Sequence, residues 1–322
     1  MGRRHLDAYL KAAGARPVAA VCRTPETLAR LEEDYGARGL MVTTDLAGAL
    51  ARARPHLVSV CSPTPLHATH ARAALAAGAH VLVEKPLTAT LAEGRALLRA
   101  ARTAERTLMS AHTTLFEPAC ALLGRLVLRG ALGTIERLRF ARRGADLSPG
   151  QIDRGRLGGQ SLEEEPPLRD DPRFGWLYDH LIHVTCLINH LTGSVPAEVA
   201  VAERAQSPTR QTLRAAVVYG SGARAEIVLS SLPSDSFAKE LHVSGSAGEA
   251  EWILAGGRAR LRVRLQGSGT WRELPLPATS AFDAVVFHFV EAVRAERPPL
   301  VSGADGLRAM ALAASLAGGF PA

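Results

Sequence analysis

Three short groupings carry residue types able to do chemistry. Glu84-Lys85-Pro86 closes His80–Glu84, a run of apolar and β-branched residues that reads as a buried strand. A ligand in an open α/β sheet sits beyond the carboxyl ends of its strands, where Lys85 would emerge. Lysine can share or shed a proton and arginine cannot; Lys11, Lys85 and Lys239 are the only lysines among 38 Lys+Arg residues. Taken alone, Lys85 is either a site residue or the surface partner of Glu84. Asp179-His180-Leu181-Ile182-His183 lies in a helical pattern that puts Asp179 and His183 on one face. A carboxylate beside an imidazole orients it and raises its basicity, as a general base near neutral pH requires. The same residues also read as a helix-stabilising pair or, with His190, as a metal face still lacking a carboxylate and an open position. Ser62-Pro63-Thr64-Pro65-Leu66-His67 follows the Leu57–Cys61 strand, where backbone and a helix N-terminus can line a nucleotide cleft. Ser and Pro also start many ordinary helices.

The elements that must position these groups alternate in the first third of the chain. Strands are predicted at Val18–Cys22, Leu40–Thr43, Leu57–Cys61, His80–Glu84 and Thr107–Ala111, with helices at Pro25–Tyr35, Leu46–Arg52, Pro65–Ala77 and Ala89–Glu105 between them. Gly36 and Gly78 are placed as C-caps. This is the pattern of βαβ units and a parallel sheet. Beyond Phe116 a helix from Pro118 to Arg129 leads to a strand at Thr134–Arg142, a long polar loop from Asp146 to Arg173, and a helix at Trp176–Leu191. The acidic run Glu163–Glu165 reads as part of a solvated loop. Seven alternating stretches between Glu198 and Pro275 read as an antiparallel sheet, followed by a helix at Phe282–Ala295 and a last helical stretch. The expected domains are therefore 1–117, parallel α/β, and 118–322, α+β.

Composition narrows the class. A chain of 322 residues, 47% hydrophobic and 21% charged, folds and is long enough for two domains. No apolar run reaches the length of a bilayer span, and no apolar segment of a leader follows Arg3-Arg4. Cys22, Cys61, Cys120 and Cys186 are widely spaced and form no CxxC pair, so a reducing, cytoplasmic setting is expected. The net charge of +7 comes from scattered arginines with few aromatics, unlike a nucleic-acid surface.

Val58 through His67, then Ala76 through Leu87 with its Glu-Lys-Pro triplet, then Asp179-x-x-x-His183, resemble the glucose–fructose oxidoreductase/inositol 2-dehydrogenase/rhizopine-catabolism (Gfo/Idh/MocA) family. The resemblance covers nearly the whole chain and is weakest between Ala145 and Arg173. It implies a Rossmann domain, a C-terminal domain with an open, mostly antiparallel sheet, NAD or NADP as cofactor, and a polyol or keto-sugar substrate. It also implies a homo-oligomer, dimer or tetramer, through the C-terminal sheet. Lys85 matches the family's site lysine, and Asp179 and His183 its carboxylate and histidine. His183 would then move the hydroxyl proton, Lys85 would hydrogen-bond the substrate oxygen, and Asp179 would hold the imidazole. The cofactor would meet Gly2, Arg23, Thr24, Ser62, Pro63, His67, Glu84 and Lys85. No metal is implied. A non-catalytic descendant binding a sugar-like ligand or a partner is the alternative.

Some positions depart from the family pattern. Met1-Gly2-Arg3-Arg4-His5 matches only the end of the Gly-x-Gly-x-x-Gly turn, so the first, central strand has no counterpart and its neighbours should show unpaired ladder groups. Either translation starts about ten residues upstream, which is the expectation, or a cofactor half-site has been lost. Cys22-Arg23-Thr24 offers no carboxylate for ribose hydroxyls, and Arg23 and Thr24 suit a 2′-phosphate, which favours NADP. Thr113 and Leu115 replace the family's usual Asn and Arg, and Trp176 stands in a stretch often rich in glycine, which points to a narrower pocket.

Overall fold

The computed structural model describes residues 1–144, 176–206, 211–231 and 236–318; the polar loop with Glu163–Glu165 lies outside them. In chain order the elements are α1 (Gly2–Lys11), β1 (Ala19–Val21), α2 (Pro25–Tyr35), β2 (Met41–Thr43), α3 (Leu46–Ala53), β3 (Leu57–Val60), α4 (His67–Ala76), β4 (His80–Glu84), α5 (Leu91–Thr103) and β5 (Leu108–Ala111). Then follow α6 (Pro118–Leu128), β6 (Ile135–Arg143), α7 (Trp176–Thr192), β7 (Pro196–Gln206), β8 (Gln211–Tyr219), β9 (Arg224–Ser231) and β10 (Ala238–Gly245). The chain closes with β11 (Gly248–Ala255), β12 (Arg258–Leu265), β13 (Arg272–Leu274), α8 (Ala281–Arg294) and α9 (Gly303–Ala317).

These elements form two compact units, Met1–Thr113 with Ser280–Arg308, and Thr114–Thr279 with Ala309–Ala322. A cut at residue 117 therefore misses a return of the chain. Helix α8 packs on α1, where Lys11 pairs with Asp283 at 2.9 Å and Arg4 stacks on the Phe282 ring at 4.5 Å. Ser110 donates its N–H to Val301 O at 3.0 Å. The sequence pattern marks α8 as a helix but carries no sign of which core receives its apolar face.

In the first unit the helices start on local signals. Thr24 and Asp45 cap α2 and α3 by accepting from Thr27 N and Gly48 N, and Thr90 with Glu93 makes a capping box on α5. Helix α2 runs through Gly36 in helical conformation into a short 3₁₀ turn. The left-handed residue that ends it is Gly39 (φ 72°), three residues beyond the expected cap.

The parallel strands form two ladders, β1–β2 and β3–β4–β5. Among the described residues no strand pairs with the second edge of β1 or of β3. Val21 is consequently 42% exposed, whereas Val81, Leu82 and Val83 on β4, flanked on both sides, are fully buried.

The second unit holds an eight-stranded sheet ordered β13-β12-β11-β10-β6-β9-β8-β7, antiparallel except where β6 runs parallel to β9. Helices α6 and α7 pack on this sheet. Leu213, Ala215, Val217 and Tyr219 alternate into its buried side, as do Leu138 and Phe140 on β6. Charged ladders cover the opposite face: Arg139–Glu226, Arg262–Glu251, and Glu249 shared by Arg264 and His242. No described helix is long and apolar enough to cross a membrane.

Gly306 lies against β5, where an added Cβ would stand 2.7 Å from Ser110 Cβ. Gly306→Ala is expected to lower unfolding free energy by about 1–3 kcal/mol in urea melts, and unchanged stability would contradict this packing.

Candidate active site

The β4–β5 register sets Glu84 opposite Ala111, and β3 pairs Val60 with Val83. The residues that follow these strands, Ser62, Lys85 and His112, therefore emerge together at the carboxyl ends. Lys85 is half-buried and His112 fully buried. Two interactions hold this edge. The His67 ring lies between Pro86 O and Ser62 O, 2.8 Å from each, and so ties the turn after β4 to the turn after β3. Burial drives the His67 pKa down although both carbonyls favour the protonated ring. A neutral imidazole has one N–H, so each tautomer donates to only one of the two carbonyls, Pro86 O from Nδ1 or Ser62 O from Nε2.

The second is a buried chain of polar groups that no sequence motif announces. Tyr9 OH lies 2.9 Å from Ser59 Oγ, and Ser59 Oγ lies 3.1 Å from His5 Nδ1. His5 Nε2 lies 3.0 Å from Glu84 Oε1, while Lys85 N donates to Glu84 Oε2 at 3.1 Å. Burial works to raise the Glu84 pKa, but the hydrogen bond and charge of His5 and the Lys85 N–H overcome it and hold the carboxylate below its usual range. Glu84, expected at the cofactor, thus has both oxygens engaged inside the unit, binding α1 to β4. His5 shares its face of α1 with buried Ala8, and that spacing is the one local sign of its burial.

The other expected cofactor residues divide. Helix α1 begins at Gly2 with no side-chain cap and no acidic residue in its first turn, and a Cβ on Gly2 would meet only Cys61 Cβ, at 3.9 Å. Arg4 N already donates to Met1 O at 2.8 Å, and the Gly2 and Arg3 amides, which no intrahelical carbonyl reaches, suit a pyrophosphate, so the residues present fit a dinucleotide. Arg23 is exposed. Thr24 is occupied in capping α2, its hydroxyl also donating to Thr27 Oγ1 at 3.0 Å, which removes the expected contact with a 2′-phosphate. Ser62 Oγ lies 3.0 Å from His70 Nδ1, and Pro63 is exposed beside it.

In the second unit α7 carries Asp179, exposed, and His183, half-buried one turn later. His183 Nδ1 lies 3.2 Å from Thr114 Oγ1. Thr114 stands between Thr113 and Leu115, the two departures from the family pattern, and carries no signal of its own in the sequence. His190 instead packs at Gly124 on α6, whose added Cβ would stand 3.2 Å from Nε2. Among the described residues no three His, Cys, Asp or Glu side chains converge as a metal site.

Comparison with known proteins agrees with this architecture. The family model "Oxidoreductase family, NAD-binding Rossmann fold" matches residues 1–112, and "Oxidoreductase family, C-terminal alpha/beta domain" matches 168–317. D-apiose dehydrogenase of Paraburkholderia graminis is 26% identical over 327 residues, covering 96% of this chain and 82% of the relative. The 4-carboxy-2-hydroxymuconate-6-semialdehyde dehydrogenase of Sphingobium sp. is 34% identical over 131 residues, 41% of this chain and 41% of that enzyme's own length. The solved aldose–aldose oxidoreductase of Caulobacter crescentus has the same fold (TM-score 0.75, 24% identity, 98% of this chain and 92% of that one). The chain belongs to the Gfo/Idh/MocA oxidoreductase family, whose first domain is a nicotinamide-cofactor-binding Rossmann fold.

Burial, and next the nearby Lys85, press the His112 pKa down to about 4, against roughly 6.5 in an unfolded chain. The unfolded state therefore takes up this proton first, so stability present above about pH 6.5 is lost as pH falls toward about 4. The slope from this one residue is up to about 1.4 kcal/mol per pH unit. His112→Gln is expected to flatten the stability–pH curve over that window, and an unchanged slope in urea melts would contradict a buried neutral His112.

Proposed function

We propose that the protein is an NAD(P)-dependent oxidoreductase acting on a sugar-like or cyclitol alcohol or its ketone, with NADP preferred. The observation that carries the reading is Lys85, held at the carboxyl end of β4 between the His67 staple and the Glu84 carboxylate, in a domain matched to an oxidoreductase family. A bound nicotinamide supplies the hydride acceptor in oxidation and the donor in reduction. The chain's own groups handle the oxygen and its proton. Lys85 donates a hydrogen bond to the substrate oxygen and stabilises charge developing there. His183 takes the hydroxyl proton in oxidation and returns it in reduction. The Thr114 hydroxyl at Nδ1 orients the ring, and Asp179, one turn earlier on α7, is the carboxylate assigned to hold it. Arg23, exposed just after β1, is the group for a 2′-phosphate, and carries the NADP preference without Thr24. Assembly as a homo-oligomer through the open sheet face, and a cytoplasmic setting, belong to the same proposal.

Fluorescence titration with NADPH and NADH tests the first half. Saturable binding of both is expected, tighter for NADPH, with the preference reduced in Arg23→Ala; absence of any saturable binding by the folded chain would contradict the reading. Lys85→Ala and His183→Ala are each expected to lower kcat by about 10²–10⁴ with near-native unfolding curves. Turnover that survives both substitutions would overturn the assigned roles.

A further inference from the structure

The turn that carries Lys85 is pinned from both sides. Lys85 N donates to Glu84 Oε2 at 3.1 Å, and beyond it Pro86 O lies 2.8 Å from His67 Nδ1. The Glu84 side is more than a strand end needs. An apolar residue would close β4 without desolvating a charge, and a buried ion pair adds little stability over apolar groups of the same volume. Four polar side chains from three elements meet here instead: Tyr9 and His5 from α1, Ser59 from β3 and Glu84 from β4. Successive partners in the order Tyr9, Ser59, His5, Glu84 stand 2.9, 3.1 and 3.0 Å apart. The ionised Glu84 accepts from His5 Nε2–H, so in the neutral ring Nδ1 accepts from the Ser59 hydroxyl, which accepts from Tyr9. Burial pushes the Tyr9 pKa up and keeps its hydroxyl a donor. Every donor then points toward Glu84, and one tautomer in one ring orientation satisfies the whole chain.

We propose that His5 is a positioning residue for turnover, which acts through Glu84 to fix the backbone that carries Lys85; this rests on the oxidoreductase reading above. The titratable groups facing Glu84 are His5 from α1, Lys85 in its own turn, Cys61 after β3, His67 on α4 and His112 after β5. His5 is the side chain that hydrogen-bonds it. Burial presses the carboxyl toward its neutral form, and the bond and charge of His5 oppose this. Without His5 the group takes up a proton near neutral pH, and the Lys85 N–H loses its charged acceptor.

Steady-state kinetics of the full chain with saturating nicotinamide cofactor and a sugar or cyclitol it turns over, in His5→Leu and His5→Gln, test the role. His5→Leu is expected to lower kcat about tenfold or more near pH 6–7 with KM within a small factor. Its kcat should return toward the native value as the pH rises to about 9, where a buried Glu84 regains its charge. His5→Gln, whose side-chain amide can replace the Nε2–H donor, should keep most of kcat throughout. Amide exchange followed by NMR gives a readout that needs no substrate: the Lys85 N–H should exchange faster in His5→Leu than in the native chain or His5→Gln. Should His5→Leu fail to fold, Ser59→Ala removes the partner of Nδ1 and is expected to show the same pH-dependent loss on a smaller scale. Packing alone would lower stability in urea melts without bending the kcat–pH profile. A profile parallel to the native one in the folded variant, a loss that His5→Gln does not rescue, or unchanged Lys85 exchange would each overturn the role while leaving the oxidoreductase reading intact. A folded native chain with no turnover contradicts that reading and removes the role of His5 with it.

Discussion

A carboxylate removed from water must be satisfied by its surroundings or lose its charge, and the first unit is arranged around one such group. Glu84 ends β4, whose Val81, Leu82 and Val83 are fully buried. Its oxygens are met by His5 from α1 and by the N–H of Lys85 itself. One carboxylate therefore fixes helix α1 and the backbone of Lys85 together. Removing His5 would leave a buried charge without its partner, so the stability of this unit rests on that bond.

The second unit solves a different problem. A broad sheet covered by helices on one side leaves little room for polar side chains on that side, yet β6 and β10 carry Arg142 and Lys239 there, and α7 carries His183. Thr114, in the segment that opens α6, meets the histidine. Polar groups held by packed elements keep their geometry better than groups on loops, which is what a site that orients a reacting carbon requires.

Much of this is legible from residue order. The βαβ alternation and the strand carrying Glu84-Lys85 follow from periodicity and local chemistry. Val58 through His67, Ala76 through Leu87 with its Glu-Lys-Pro triplet, and Asp179-x-x-x-His183, taken in that order, point to the family. What stays hidden depends on contacts distant along the chain. His5 and Glu84 are 79 residues apart, and nothing near either one names the other. The return of α8 to α1, the parallel pairing of β6 with β9, and the row joining Arg142 to Lys239 are likewise set by strand order and packing rather than by local pattern. Thr24 shows the converse: its residue type suits a phosphate, but a local helix cap claims its hydroxyl.

The central claim is hydride transfer assisted by Lys85 and His183, and isotope transfer tests it most directly. The protein would be incubated with NADP⁺ or NAD⁺ and a panel of sugars, sugar acids and cyclitols deuterated at carbon, and the reduced cofactor examined by mass spectrometry. One deuterium on the nicotinamide ring is expected with at least one member of the panel, and is expected to vanish in His183→Ala. A folded protein that binds the cofactor yet transfers no deuterium from any member would contradict the account.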